Sequence, residues 1–166
     1  KAPVYKKNNS SWSNYPLSEL LKQEINNMTK EEKNKFADYW LNAAQAEHSS
    51  IASFSQVILE LSTFGAPSNL LELATSAMQD EIRHTKIAMS LATTASNQDF
   101  ELDNLPLKQL PLRNKDEFRK DNHRDAIINE AESARMLYKY ANKQLEADRY
   151  NLSKIIKEIA DDETRH

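Results

Sequence analysis

The sequence predicts an all-α protein, an antiparallel four-helix bundle made of two helical hairpins joined by one long crossover. Composition is the first reason, because 166 residues with one glycine and five prolines hold too few turn residues for a β-rich chain. The second reason is that apolar residues recur at three- and four-residue steps over long stretches, which is the period of an amphipathic helix. The third is a pattern of glutamate and histidine that occurs once in each predicted hairpin.

Residues 1–28 are predicted to form an N-terminal arm and a short helix, and residues 29–166 to form the bundle. The first seventeen residues are polar with scattered aromatics, so we interpret them as an extended arm. The short helix is expected at about Ser18–Asn27.

The first hairpin is bounded by strong local signals. Thr29 and Glu32 form a capping box, from which a helical pattern continues to about Phe64. Gly65, the only glycine, then ends the helix. The second long helix is expected at about Ser68–Thr94.

The second hairpin follows a connection at residues 95–113, which shows little helical periodicity. Asn114–Glu117 is another capping pattern, from which a third helix is expected to reach about Ala147. A fourth helix is expected to continue from about Arg149 to the last residue. The inward face of the second helix is predicted to be Leu70, Leu71, Ala74, Ala77, Met78, Glu81, His84, Ala88 and Leu91. The inward face of the third helix is predicted to be Ile127, Glu130, Ala134, Leu137, Ala141 and Leu145.

One motif, Asp-Glu-x-Arg-His, occurs at residues 80–84 and again at residues 162–166. A single glutamate, Glu47 or Glu130, precedes each copy by nearly the same distance. Within each hairpin the two glutamates also lie at similar distances from the turn. Because equal distances from an antiparallel turn mean equal heights, all four glutamates are expected in one layer. The second helix extends well past His84, so we also expect the natural chain to continue beyond His166.

Four carboxylates and two imidazoles in one layer form the ligand set of a two-metal carboxylate site. Residues three apart share a helix face, so each Glu-x-x-His offers one carboxylate and one imidazole together. Four carboxylates also balance the charge of two divalent ions. The alternative is that these are ordinary surface glutamates. The predicted ligands are Glu47, Glu81, His84, Glu130, Glu163 and His166.

Residues beside the ligands repeat as well. Asp80 is expected to accept a hydrogen bond from His166, and Asp162 from His84, as partners of metal-bound imidazoles. Arg83 and Arg165 are expected to pair with these aspartates. The alternative is that all four charges are solvated.

Other candidates have weaker signals. His48 is interpreted as a neighbour of the site or a surface residue, and His123 as a polar core or channel residue rather than a ligand. Four aromatic residues are open to a redox role or to ordinary packing: Trp40, Tyr138, Tyr140 and Tyr150.

Composition excludes several functional classes. The absence of cysteine excludes disulfides, thiolate metal sites and a thiol nucleophile. A net charge of −3 without a long basic run gives no reason to expect a nucleic-acid partner. No stretch approaches the roughly 20 apolar residues that would span a bilayer. A soluble, cytoplasmic protein is favoured, and the compartment is left open.

The double motif resembles the ferritin-like di-metal carboxylate superfamily over about residues 30–166. Its Asp-Glu-x-Arg-His form is similar to that of oxygen-activating di-iron oxygenases. The resemblance implies a ferritin-like bundle that holds two iron ions, with manganese or a mixed Mn/Fe pair possible. Rubrerythrin-type peroxidases carry a cysteine-ligated iron that this chain lacks, and the hydroxylases are far larger.

The expected function is therefore activation of dioxygen to oxidise a small organic substrate, with the di-metal centre itself as the catalytic group. The electron donor is not identified. The alternatives are a ferroxidase or iron-handling protein, a Mn/Fe catalase-peroxidase acting on peroxide, and a purely structural bundle. A homo-oligomer is possible, and a large hollow one would favour iron storage.

Overall fold

The computed structural model describes residues 1–106, 111–124 and 130–166, except for the side chain of residue 123. These residues are mostly helical, which confirms the all-α prediction. Their helices are α1 (Glu19–Asn26), α2 (Lys30–Thr63), α3 (Ser68–Ser96), α4 (Lys115–Arg124), α5 (Ala131–Glu146) and α6 (Tyr150–Glu163). The two strands are β1 (Val4–Lys6) and β2 (Phe100–Leu102). The arrangement as one four-helix bundle stays a prediction, and the expectations for His123 and Ile127 lie outside the described parts.

Contacts divide the chain into two units. The first unit comprises Lys1–Ile51 and Glu81–Leu107, and the second comprises Ala52–Asp80 and Lys108–His166. Helices α2 and α3 each contribute to both units. The boundary predicted after residue 28 lies inside the first unit.

The N-terminal arm is anchored in the first unit by backbone pairing. Strand β1 pairs antiparallel with β2, with Val4 opposite Leu102 and Lys6 opposite Phe100. The N–H of Lys7 extends the pairing by donating to the carbonyl of Asp99 at 3.1 Å. The sequence did not predict these strands, because three residues are too few to display an alternating pattern.

The predicted capping box at the start of α2 is present in the first unit. The N–H of Glu32 donates to Thr29 Oγ1 at 3.2 Å, and the N–H of Thr29 donates to Glu32 Oε2 at 2.8 Å. Each side chain therefore satisfies a backbone donor that the helix leaves unbonded. The buried apolar residues of this unit include Leu21, Ile25, Phe36, Trp40, Ala44, Ile87, Met89 and Leu91.

Both helical turns of the second unit use the left-handed backbone conformation. Gly65 has a φ of +67°, and the N–H of Ala66 donates to the carbonyl of Leu61 at 3.0 Å. Asp148 has a φ of +57°, and the N–H of Arg149 donates to the carbonyl of Gln144 at 2.9 Å. These contacts satisfy carbonyls at the helix ends, and they confirm Gly65 as the predicted end of the first long helix.

Three details of the predicted helices are wrong. Leu70 and Leu145 were predicted to face inward but are 41% and 47% exposed. Each lies in a helical turn beside a hairpin loop, where the path of the loop rather than the helical period decides burial. The fourth helix was predicted to reach the last residue, but α6 ends at Glu163. The chain forms a tighter turn there, because the N–H of Arg165 donates to the carbonyl of Asp162 at 2.8 Å.

A buried ion pair links α2 to the segment before α4 within the second unit. The side chain of Glu60 is 0% exposed and accepts from Arg113 Nη2 at 2.7 Å, from its Nε at 3.0 Å and from its backbone N–H at 2.8 Å. Arg113 Nη1 also contacts Asp121 at 3.2 Å. Burial alone would raise the pKa of Glu60, but the hydrogen bonds from Arg113 outweigh it and hold that pKa below its usual value of 4.5.

No helix within the described ranges is long and apolar enough to cross a membrane.

Replacing Arg113 by methionine is expected to lower the free energy of unfolding by about 3–5 kcal/mol, because Glu60 would keep its burial and lose its charge partner. Urea denaturation at neutral pH measures this change. Arg119→Met is the matched control, since Arg119 is exposed on α4. An equal loss in both variants would contradict a special role for the buried pair.

Acidification is expected to remove this stabilisation. The folded pKa of Glu60 is depressed, so its contribution is fully present above about pH 4.5 and is lost as the pH falls through the lower folded pKa. In Arg113→Met the carboxyl is buried without that guanidinium and takes up a proton more readily. The stability gap between wild type and variant should therefore narrow between about pH 7 and about pH 3.5 in urea titrations. A gap that stays constant would contradict the charge argument.

Candidate metal centre

The first unit holds one group of candidate ligands on α2 and α3. Glu47, Glu81 and His84 each offer a ligand atom, and these atoms lie within 4.8 Å of one another. His84 Nδ1 is 3.7 Å from Glu47 Oε2. Glu81 and His84 are each 1% exposed, so a charge on either is shielded from solvent. The antiparallel turn at Gly65 brings α2 and α3 to this common height, as the spacing predicted.

The second unit holds a corresponding group from the other hairpin. Glu130, Glu163 and His166 offer ligand atoms within 4.8 Å of one another, and His166 Nδ1 is 3.9 Å from Glu130 Oε2. Glu130 precedes α5 with helical angles, φ −68° and ψ −45°. Glu163 is the last residue of α6, so His166 reaches the group from the tightened turn beyond the helix. Its side chain is nevertheless only 2% exposed.

Both groups have the same donor set and the same local arrangement. In each, the single glutamate faces Nδ1 of the histidine from its own hairpin. Separations of 3.7 and 3.9 Å are longer than a hydrogen bond. Two ligands at about 2.1 Å from one ion are at most about 4.2 Å apart, so both separations fit a shared ion. Each group is therefore compatible with a metal, and its oxygen and nitrogen donors suit iron, manganese and zinc alike.

Charged residues surround His166 within the second unit. Asp80 Oδ2 lies 3.6 Å from His166 Nε2 and 3.6 Å from Arg165 Nη2, and Arg165 also donates to Asp162. The imidazole of His166 thus has one nitrogen towards Glu130 and the other towards Asp80. A separation of 3.6 Å is longer than a hydrogen bond, so the bond predicted between Asp80 and His166 stays a prediction. Such a carboxylate fixes the orientation of a ligand histidine. The contact of Asp162 with His84 and the pairing of Arg83 stay predictions.

Aromatic rings pack beside the histidines. The ring of Phe54 makes an edge contact with His166 at 5.4 Å in the second unit. In the first unit the ring of Trp12 contacts His48 at 5.3 Å in the same manner. Burial lowers the pKa of His48, which favours its neutral form. No sequence pattern pointed to Trp12, because its contact depends on the folded path of the arm.

The aromatic candidates have different surroundings. Trp40 is 2% exposed and packs against Phe36 and Tyr39, whereas Tyr150 is 59% exposed. The hydroxyl of Tyr138 donates to Asp161, and this bond raises the pKa of the tyrosine. A redox role for these residues and for Tyr140 stays a prediction.

A cleft of about 460 Å³ adjoins the second group. Its walls come from α5 and from the end of α6, and they include Ala134, Tyr138, Glu163 and His166. The sequence predicted the ligands at its end but not the cleft, because the gap between helices depends on side-chain packing.

Comparisons with protein-family models, with curated proteins and with solved structures gave no significant match. The ferritin-like resemblance therefore depends on the double motif alone.

Asp80→Ala is expected to weaken metal binding by about 10- to 100-fold, because His166 would lose the carboxylate that orients its ring. A titration with Co²⁺, followed by visible absorbance, measures this affinity. Glu72→Ala, an exposed change on the same helix, is the control, and Asp80→Asn should restore part of the loss because it keeps an acceptor oxygen. Equal Co²⁺ affinity in Asp80→Ala and wild type would contradict this role.

Proposed function

We propose that the two ligand groups form one two-metal carboxylate centre and that the protein is a di-iron oxidoreductase of the ferritin-like type. Its activity would be activation of dioxygen to oxidise a small organic substrate. The observation that carries the proposal is the duplication of one partly buried donor set, two glutamates and a histidine, in the chain. A single such group is common among helical proteins, but two with the same Nδ1-to-carboxylate arrangement are expected only of a paired site.

Chain connectivity supports joining the groups. Asp80 and Glu81 are consecutive residues of α3, so their Cα atoms are about 3.8 Å apart. Asp80 lies against His166 of the second group, while Glu81 belongs to the first group. In the proposed centre, Glu81 and Glu163 would be among the residues that hold the ions. The four carboxylates would then neutralise two divalent ions in a setting where unneutralised charge is costly.

The residues of the proposed centre would have different roles. Two bound irons would supply the electrons and the Lewis acidity that dioxygen activation needs. The glutamates and histidines would hold the ions, Asp80 would orient His166, and the ring of Phe54 would exclude water from one side of that imidazole. Manganese or a mixed pair would fit the same donors.

The cleft favours an organic substrate over the alternatives. Ferroxidase and catalase-peroxidase activities act on Fe²⁺ and peroxide, which need only a narrow path to the metals. A cleft of about 460 Å³ is in the size range of small-molecule sites. Its walls include Glu163 and His166, so a molecule bound there would lie beside the candidate metals.

The test is metal content followed by oxygen consumption. Wild type is expected to bind two Fe²⁺ per chain and, once reduced, to consume dioxygen on mixing. Glu81→Ala combined with Glu163→Ala should lose bound metal and oxygen consumption together, because each substitution removes a buried ligand. Elemental analysis and an oxygen electrode measure the two quantities.

The control is Glu72→Ala combined with Glu158→Ala, two exposed glutamates on α3 and α6. This variant should retain metal and activity. If the double ligand variant binds as much iron as wild type, the two-metal proposal is wrong. Iron binding with oxygen consumption that is proportional to added Fe²⁺ and is unchanged by organic substrate together with a reductant such as ascorbate would identify a ferroxidase instead.

A further inference from the structure

The cleft beside the second ligand group has an uneven distribution of charge. We call it the α5 cleft, because most of its wall comes from α5. One end holds Glu163 and His166, and the wall further along α5 holds Arg135 and Lys139. The lining also includes Ala131 and Ala134, whose side chains are methyl groups. The cleft thus combines an acidic residue, apolar wall and two cationic residues.

Arg135 and Lys139 form a pair suited to an anion. Residues four apart lie on the same helix face, so both side chains border the same stretch of the cleft. Arg135 contacts Glu132 at 3.4 Å, and both side chains are 61% exposed. Exposed pairs of this kind are weak, so a ligand carboxylate can compete with Glu132 for the guanidinium. Asn142, which also lines the cleft, adds an amide donor.

We infer that the α5 cleft binds a small organic acid, with its carboxylate at Arg135 and Lys139 and its hydrocarbon part over Ala134 towards Glu163 and His166. Arg135 and Lys139 set this orientation, since they are the cationic side chains that line the cleft. This inference names the substrate class of the proposed oxidoreductase. That the acid is oxidised rests on the proposed function, whereas its binding in the cleft does not.

Helix geometry sets the length of the acid. Arg135 and Lys139 follow Glu130 by one to three helical turns, which places them about 7 and about 14 Å along the axis from the level of that candidate ligand. An acid whose carboxylate is held there extends its far end to the candidate metals only if it has the length of a medium-chain or arylalkanoic acid. Formate and acetate are too short, so hexanoate is a suitable probe.

The experiment is a calorimetric titration of the metal-free protein with hexanoate and with its uncharged analogue, hexanamide. Hexanoate is expected to bind at least about tenfold more tightly, because only the acid makes charge-assisted hydrogen bonds. Arg135→Gln and Lys139→Gln should each weaken hexanoate binding by about fivefold to tenfold and leave hexanamide binding unchanged. Lys143→Gln, an exposed lysine of α5 outside the cleft, should change neither.

Equal affinities for the acid and the amide, or no binding of either, would overturn the inference. A loss in Lys143→Gln as large as that in Lys139→Gln would also overturn it, since binding would then be a general charge effect. Glu81→Ala separates the two proposals, because it should lose metal and keep hexanoate binding. If the protein binds hexanoate but never binds metal, the proposed function is wrong and the inference about the cleft stands.

Discussion

The fold depends on how its buried carboxylates are neutralised. Glu81 and Glu163, the first residues of the two Glu-x-x-His copies, are only 1% and 4% exposed, and each stands beside a second glutamate and a histidine. An ionised carboxylate removed from water costs several kcal/mol unless a cation, a proton or hydrogen bonds compensate it. Helices α2, α3 and α6 carry Glu60, Glu81 and Glu163 inward, so the packing of both units has to satisfy this constraint.

Two glutamates of α2, Glu60 and Glu47, meet this constraint in different ways. Glu60 is neutralised by Arg113 of the same chain, whose guanidinium and backbone N–H both bond to it, and this pair stabilises the second unit. Glu47 instead faces a histidine and a further carboxylate in the first unit. A carboxylate paired with an arginine is already neutralised within the fold. Two carboxylates beside an imidazole are instead a set of donors for a metal ion. The contrast separates a structural charge from a candidate ligand on one helix.

Prediction from sequence succeeded where a signal is local or periodic. The Thr29–Glu32 capping box and the glycine turn at Gly65 depend on backbone chemistry within a few residues. The approach of Glu47 to Glu81 follows from their similar distances to that turn. Prediction failed where distant segments meet. Strand β2, the Glu60–Arg113 pair and the cationic wall of the cleft have no local signature. The end of α6 before His166 and the exposure of Leu70 and Leu145 show that helix termini follow tertiary contacts rather than period.

The orientation of His166 gives the strongest reason to treat the repeat as chemistry rather than architecture. A neutral histidine in a core would be satisfied by an acceptor at one ring nitrogen and a donor at the other. His166 has a carboxylate oxygen within 4 Å of each nitrogen, Glu130 beside Nδ1 and Asp80 beside Nε2. Only one of these can be the ligand side, and the repeat indicates which, because His84 also presents Nδ1 to the single glutamate of its hairpin. In the proposed centre the metal side would therefore be Nδ1 in both groups, and Asp80 would hold the ring from the other side.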